Sequence, residues 1–339
     1  MLIDLRSDTV SMPSPEMRRA VFEAEVGDDG YGEDPTVAEL ERLGAAFLGM
    51  PEAVFVASGT MANQIALRTL AQPGEVVVVG AGAHLLQYEH GASAKNASVQ
   101  FHAVDDSRGY PEPGQVAEVV TRYRFRGHPV AMVAAENTHM SSGGTTVPRG
   151  CFEQLLEAAA GVPVYLDGAR IANAQVALES SAAELGRGAR MISMCLSKGL
   201  GAPMGSVLAG SGDLVERARQ ERALLGGRLR QIGFMAAAGI YALKSNVERL
   251  ADDHRRARRL AAILEERVGE GAVASPVHSN MVLFRHDRAP EAVKELADRE
   301  VLANALSPGL LRFVTHIGIG DEEIEVAGDR VSQLVRRRQ

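Results

Sequence analysis

Short apolar runs alternate with amphipathic stretches along the first part of the chain. Val54–Ala57, Val76–Gly80, Val130–Ala135, Val162–Leu166, Met191–Leu196 and Val207–Gly210 are each a few residues long and mostly apolar. Runs of this kind have no polar face, so they predict strands buried on both sides. Between them, Thr36–Leu48, Met61–Leu70, Gly114–Tyr123 and Cys151–Ala159 repeat their apolar residues at helical spacing. Strand and helix in alternation predict an α/β architecture, a mostly parallel sheet covered by helices on both faces.

The pattern changes after Gly212. Asp213–Ala223 and Gly233–Val268 read as long helical segments. Then Met281–Phe284 reads as a strand, Pro290–Asp298 as a helix, Leu311–Val314 as a strand and the remainder as a last helix. This second part predicts a small α+β unit. The boundary falls inside the long helix, giving a large domain over 1–245, N-terminal segment included, and a small domain over 246–339. A chain of 339 residues suits that division, because single cores stop growing beyond about 250–300 residues.

Composition changes the picture mainly by exclusion. With 46% hydrophobic and 23% charged residues, the chain has ample material for a core and none of the bias of a disordered segment. A net charge of −7 argues against general affinity for nucleic acid. The arginine clusters at Arg255, Arg256, Arg258, Arg259 and at Arg336, Arg337, Arg338 read as solvated helix faces or a tail. Two cysteines, Cys151 and Cys195, build no disulfide framework and suit a reducing cytoplasm. The start, Met1-Leu2-Ile3-Asp4-Leu5-Arg6, lacks the apolar region of a signal peptide. No apolar run approaches the ~20 residues that span a bilayer. The expectation is a soluble, cytoplasmic protein with neither membrane nor nucleic-acid partners, and no metal site is singled out.

Three short segments carry chemistry. Leu196-Ser197-Lys198-Gly199-Leu200-Gly201 places a lysine directly after an apolar strand, followed by two glycines. A desolvated lysine loses its charge readily and becomes a nucleophile, and glycines let the backbone approach a ligand. An ordinary surface lysine at a strand end would look the same. Val164-Tyr165-Leu166-Asp167-Gly168-Ala169-Arg170 closes a strand with an acid and adds an arginine three positions on. Such a carboxylate can keep a heterocyclic nitrogen protonated and make its ring an electron sink, or it can simply cap a helix. Ala57-Ser58-Gly59-Thr60-Met61-Ala62-Asn63 is a small, hydroxyl-bearing loop opening a helix, where backbone N–H groups favour a phosphate. It is neither a Walker loop nor a dinucleotide fingerprint, and Ser58 or Thr60 could be no more than a cap.

The order phosphate loop, aspartate, lysine, with Lys198 31 residues after Asp167, resembles that of the fold-type-I enzymes that use pyridoxal 5′-phosphate. Longer motifs narrow the resemblance. They are Asp4-Leu5-Arg6-Ser7-Asp8-Thr9-Val10, Val26-Gly27-Asp28-Asp29-Gly30-Tyr31-Gly32-Glu33-Asp34-Pro35-Thr36, Glu136-Asn137-Thr138-His139, Asp167-Gly168-Ala169-Arg170, Cys195-Leu196-Ser197-Lys198-Gly199-Leu200-Gly201 and Arg312-Phe313-Val314-Thr315-His316. Together they resemble the low-specificity L-threonine aldolase family over essentially the full chain.

The resemblance implies a fold-type-I, transferase-like architecture and a pyridoxal-phosphate-dependent aldehyde-lyase. Its reaction would split L-threonine, L-allo-threonine and related β-hydroxy-α-amino acids into glycine and an aldehyde. By the same resemblance Lys198 carries the cofactor, Asp167 pairs with its ring nitrogen and His84 stacks on the ring. Gly59, Thr60, Ser197 and Arg230 would hold the phosphate, Arg230 coming from a neighbouring subunit. Ser7, Arg170 and Arg312 would bind the substrate carboxylate, Arg170 also bordering the cofactor, and Tyr31 would enter from a partner chain. A homo-oligomer follows, a dimer of dimers with shared active sites. Without the family, His84 reads equally as a buried core histidine. The proton acceptor stays open between His84, His128 and a water they hold. A β-eliminating lyase or racemase on the same scaffold is the alternative within this chemistry. A non-catalytic cofactor-binding protein is the alternative outside it, although a pure binder has no use for three carboxylate-directed groups.

Three segments depart from the family's pattern. The usual three glycines before the phosphate arginine read Gly226-Gly227-Arg228-Leu229-Arg230, and Ala223 stands where a lysine is common. Arg228 could restore the missing charge or face solvent. Tyr123–Pro129 matches poorly, so His128 aligns with the family's second histidine only across a gap. Met140-Ser141-Ser142-Gly143-Gly144 is longer than the usual turn.

Overall fold

Seven strands form the main sheet of the computed structural model, which describes residues 1–336; Arg337 and Arg338 lie outside them. After a two-residue strand β1 (Ile3–Asp4), these are β2 (Glu52–Val56), β3 (Val76–Gly80), β4 (Gln100–Val104), β5 (Val130–Glu136), β6 (Val164–Asp167), β7 (Met191–Cys195) and β8 (Ser206–Gly210). Their spatial order is β2-β8-β7-β6-β5-β3-β4. Only β8 runs against both its neighbours; the pairs from β7 to β4 are all parallel. Six of the seven are the apolar runs of the sequence. The seventh, β4, escaped that reading because it is an edge strand, paired only with β3, and leaves Gln100 and Ala103 exposed.

Side chains alternate between the two faces, as the pleat requires. Val76 and Val78 join Val133, Ala135, Leu166 and Ile192 in a core shared with the helices Pro35–Leu48, Pro113–Phe125, Arg149–Ala158 and Gly233–Ser245. Val77 and Val79 join Met132, Ala134, Tyr165 and Met191 against the helix Gly59–Leu70. Each fully buried valine or isoleucine contributes roughly 1.5–3 kcal/mol to the folded state. The chain steps from β3 outward to β4 and returns on the other side of β3 at β5. Such a reversal opens a crevice beyond the carboxyl ends of the strands, where open α/β sheets bind ligands.

A second sheet, β11-β12-β9, is antiparallel: β9 is Met281–Arg285, β11 Asn304–Ser307 and β12 Leu310–Val314. With the helices Leu250–Val268, Ala289–Ala297 and Asp321–Arg336 it encloses a separate core around Leu260, Leu264, Phe284 and Phe313. Ile3 and Leu5 pack into this second core, and β1 pairs with β10 (Val301–Leu302). The first residues of the N-terminal segment therefore pack on the small unit, while Met17, further along the same segment, joins the core of the large one.

The long helix expected over Gly233–Val268 is two helices, Gly233–Ser245 and Leu250–Val268. The break puts Asn246 Nδ2 on the Leu200 carbonyl at 2.8 Å and Arg249 Nη1 on the Gly199 carbonyl at 3.1 Å. Both bonds tie it to the loop after β7. Among the described residues no helix is long and apolar enough to cross a membrane.

Candidate active site

Because β2, β3, β5, β6 and β7 run the same way, the loops after them meet at one edge of the sheet. They bring Ser58, Gly59, Thr60, His84, Glu136, Asp167, Ser197 and Lys198 to a cavity of about 130 Å³. A neighbouring cavity of about 370 Å³ is bordered by Ser7, Tyr88, Leu306 and Arg312, and shares His84, Met140, Arg170 and Lys198 with the first.

At the first cavity's base, Asp167 is buried and held by two donors. Asn63 Nδ2 gives to Oδ2 and the Ala169 N–H to Oδ1, each at 2.9 Å. Asn63 is oriented in turn by the Tyr165 hydroxyl, which donates to its Oδ1 at 2.6 Å. Ser58 caps the helix Gly59–Leu70, accepting from the Met61 N–H at 3.2 Å. The cap reading thus holds for Ser58, while Thr60 stays exposed at the cavity. A Cβ on Gly59 would meet Cys195 Sγ at 2.6 Å, so only glycine lets the helix start sit this close to β7.

Packing and chain reversal also call for the glycines after Lys198. A Cβ on Gly199 would stand 2.9 Å from Leu250 Cδ2, and Gly201 turns the chain at φ +79°.

Around the second cavity the charge is positive. Arg170 is buried and makes a bidentate pair with Asp8, Nε to Oδ2 at 2.8 Å and Nη2 to Oδ1 at 2.6 Å. Burial pushes the Asp8 carboxyl up, but Arg170, Lys198 and Asn280 together hold it well below its ordinary value. Arg312 gives Nη1 to Met140 Sδ and Nη2 to the Arg6 carbonyl, while its buried Nε has no partner among the described residues. Burial, then the nearby Arg170 charge, lowers the Arg312 pKa. Two guanidiniums facing one space, one with an orphaned donor, fit a bound carboxylate. Ser7 borders the same space and caps the short turn Asp8–Val10.

A model of the beta-eliminating lyase family matches residues 4–288. The chain belongs to the beta-eliminating lyases, in the low-specificity L-threonine aldolase group. It is 39% identical over 341 residues to the low specificity L-threonine aldolase of Escherichia coli K12, covering 99% of this chain and all of that one. To the probable low-specificity L-threonine aldolase 2 of Arabidopsis thaliana it is 38% identical, covering 95% and 94%. Among solved structures, a threonine aldolase from Leishmania major superposes with a TM-score of 0.85 at 21% identity, over 98% of this chain and 99% of that one. A serine palmitoyltransferase from S. paucimobilis does so at 0.76 and 18% identity, over 99% and 88%. The architecture is that of the fold-type-I pyridoxal phosphate enzymes.

For this family member, the fold gathers Ser7, Gly59, Thr60, His84, Asp167, Arg170, Ser197, Lys198 and Arg312 at the paired cavities. His128 does not join them. It is exposed just before β5, at the opposite end of that strand from Glu136, with its ring 6.1 Å from that of Tyr123. Tyr31 and Arg230 also lie outside the cavities. Tyr31 is 77% exposed, and Arg230 is exposed 3.9 Å from Asp28 Oδ2.

Four residues of the site were not singled out on sequence: Asp8, Asn63, Glu89 and Glu136. Asp8 and Glu136 lie inside quoted motifs, and a buried arginine such as Arg170 needs a carboxylate partner. Asn63 closes a quoted segment without a role of its own and Glu89 gave no signal, since Asn63 meets Glu89 and Asp167 only in the fold. Glu136 is buried, which raises its pKa, and Asp167 raises it further while His139 and His84 oppose. His139 is paired with Asp106, Nε2 to Oδ2 at 2.9 Å; burial works to lower its pKa, and Asp106 and Glu136 raise it overall.

Proposed function

We propose that the chain is a pyridoxal-phosphate-dependent aldehyde-lyase. Its reaction is the retro-aldol cleavage of L-threonine, L-allo-threonine and related β-hydroxy-α-amino acids to glycine and an aldehyde. The observation that carries this reading is the pair of adjoining cavities, with Lys198, Asp167 and His84 on one side and Arg170 and Arg312 on the other. Relatives named as threonine aldolases over nearly the full chain support it.

The donor set fits the cofactor. Gly59, Thr60, Ser197 and the start of the helix Gly59–Leu70 would hold the phosphate through N–H groups, hydroxyls and the helix dipole. Asp167, fixed by Asn63 and Ala169, would hold a proton on the ring nitrogen. Lys198 supplies the anchoring amine, and His84 would lie against the ring. When bound, pyridoxal 5′-phosphate supplies the electron sink for the pair released from the Cα–Cβ bond. Arg170, locked by Asp8, would grip the substrate carboxylate with Arg312 and Ser7. That grip decides which Cα bond stands perpendicular to the ring, a task for planar forks more than for a point charge.

The phosphate cradle has hydroxyls and N–H groups, but Arg170, the arginine at this cavity, is already paired with Asp8. Arg230 and Tyr31, projecting from the chain, would complete a neighbour's site. On this reading the enzyme is a closed homo-oligomer, a dimer at least and a dimer of dimers in full, working in the cytoplasm. The division into domains at 245/246 is part of the same reading; the helix break there and the two cores support it.

Threonine offered to purified protein tests the function. Acetaldehyde and glycine in equal amounts are expected. 2-Oxobutanoate with ammonia would make it an eliminating lyase, inversion at Cα a racemase, and no turnover a cofactor-binding protein.

A further inference from the structure

The least expected group beside the first cavity is a carboxylate that no lysine or arginine neutralises. Glu89 has a fully buried side chain, and among the described residues its ion-pair partner is His84 alone. Three side chains meet it: His84 Nδ1 at 3.0 Å and Asn63 Nδ2 at 2.7 Å on Oε1, and Gln64 Nε2 at 2.6 Å on Oε2. A carboxylate only accepts, so each of the three must donate. With Glu89 as a carboxylate, that requirement puts a proton on the histidine's Nδ1. Nε2, the ring's other nitrogen, has no hydrogen-bond partner among the described protein groups, and His84 borders both cavities.

We propose that Glu89 is a positioning residue that makes His84 the acceptor of the substrate's β-hydroxyl proton, its carboxylate holding one proton on Nδ1 while Nε2 takes the second. This rests on the retro-aldol reading above. The O–H bond breaks as the Nε2–H bond forms, the oxygen's pair becomes the second bond of the aldehyde C=O, and the Cα–Cβ pair leaves on the Cα side. The proton on Nε2, or one exchanged with water, then completes glycine at Cα. Glu89 itself gains no proton; it stabilises the imidazolium, as a buried acid does in a serine hydrolase.

The surroundings agree. Facing His84 are Glu89 and Tyr88 from its own segment, Glu136 from the end of β5, Asp167 from the end of β6, Lys198 after β7, and Arg170 and Arg312 across the second cavity. The His84 backbone N–H donates to Glu136 Oε1, pinning the ring's starting point. Burial lowers the His84 pKa, yet the Glu89 hydrogen bond and the Asp167 and Glu89 charges raise it overall, against Lys198. A base must be neutral to act, so activity should rise as pH passes upward through the His84 pKa. Asn63 shares its amide between Glu89 and Asp167, so the group behind His84 and the group expected at the cofactor's ring nitrogen are braced together.

Glu89→Gln and Glu89→Asp test the assignment on the full-length protein. Imidazole C2–H signals are followed by NMR against pH, with and without cofactor, the His84 signal being identified by its loss in His84→Asn. In the parent, His84 should titrate above the ordinary ~6.5, and in Glu89→Gln clearly lower. The acid limb of kcat should move to lower pH in step, and kcat at neutral pH should fall by about 10²-fold or more, with KM within about threefold. Glu89→Asp should recover part of both. A fall in kcat with the His84 titration unmoved makes Glu89 a packing residue and overturns the proposal, as does a Gln variant with parental kcat and pH profile. Should the Gln variant not fold, the parent decides, since a His84 that titrates at or below ~6.5 is incompatible with the dyad. A parent that releases no aldehyde from threonine sinks the proposed reaction instead, while the titration still reports on the Glu89–His84 pair.

Discussion

The floor of the cavities and the turns at Asp28–Tyr31 and Gly226–Arg230 bear on one proposed site in opposite ways. On the floor, Asp167, Arg170 and His84 come from strand ends and are partnered within the chain: Asn63 and Ala169 hold Asp167, Asp8 holds Arg170, and Glu89 holds His84. At the turns, Tyr31 and Arg230 stand in solvent. Groups on a parallel sheet inherit its rigidity and are aimed before any ligand arrives. Groups on projecting turns acquire a target only from another surface. The first arrangement suits the chemistry, where a small misplacement is costly; the second, on the proposed reading, would tie cofactor retention to assembly.

The largest effects should come from the floor. Lys198→Ala removes the anchoring amine and should cost ~10³-fold or more in turnover, as loss of a covalent nucleophile does. Borohydride treatment of the parent should bleach its visible band and leave the label on Lys198; full turnover by Lys198→Ala would break the assignment. Next is Arg170→Ala, which leaves Asp8 buried without its partner and should destabilise the fold by about 3–5 kcal/mol in denaturant titration. Because the Asp8 pKa is depressed in the folded state, its stabilisation is present above the unfolded carboxylate value of ~3.9 and is lost as pH falls below it. In Arg170→Ala that acid-linked loss should shrink. A variant as stable as its parent would mean the floor is not pre-set by this pair.

Smaller effects belong to the turns. Arg230→Ala should weaken cofactor binding by roughly tenfold to hundredfold, the worth of one charge-assisted contact, while leaving the single-chain fold intact. Light scattering should show the parent as an oligomer at assay concentration. An active monomer would erase the contrast between floor and turns.

The same contrast explains what could be read from the sequence. The strands of the floor were legible because burial on both faces leaves an unbroken apolar run such as Val76-Val77-Val78-Val79. Lys198 and Asp167 were legible because each follows such a run directly. The edge strand β4 was not, being half in water. Asn63 and Glu89 were invisible because Asn63 bonds Asp167 from 104 residues away and Glu89 from 26; nothing local marks a polar residue whose partner arrives by folding. His128, matched only across a gap, lies outside this chain's cavities. A match across a gap fixes a residue's type but not which end of a strand it occupies.

The smallest effect, and the sharpest probe of the turns, is at Arg228. Its Nη2 donates to the Gly30 carbonyl, and a Cβ on Gly30 would stand 2.9 Å from Arg228 Nε and 3.3 Å from Arg230 Nη1. The two guanidiniums therefore rest side by side on the turn that carries Tyr31. Ala223, where the family resemblance leads one to expect a lysine, lines a cleft of about 480 Å³ together with Arg228 and Asp29. The lost cation and the gained one thus face the same space. Arg228 does not border its own chain's phosphate loop, so any service to a phosphate is to a neighbour's, beside Arg230. If so, Arg228→Gly should weaken cofactor binding by up to about tenfold at low ionic strength, the deficit shrinking as salt shortens the Debye length below ~10 Å. Adding Ala223→Lys to that variant should restore the affinity, because only the sign and place of the charge matter. An Arg228→Gly protein that binds pyridoxal phosphate as tightly as its parent in dilute buffer would show Arg230 to be sufficient, with Arg228 doing no more than bracing the turn at Gly30.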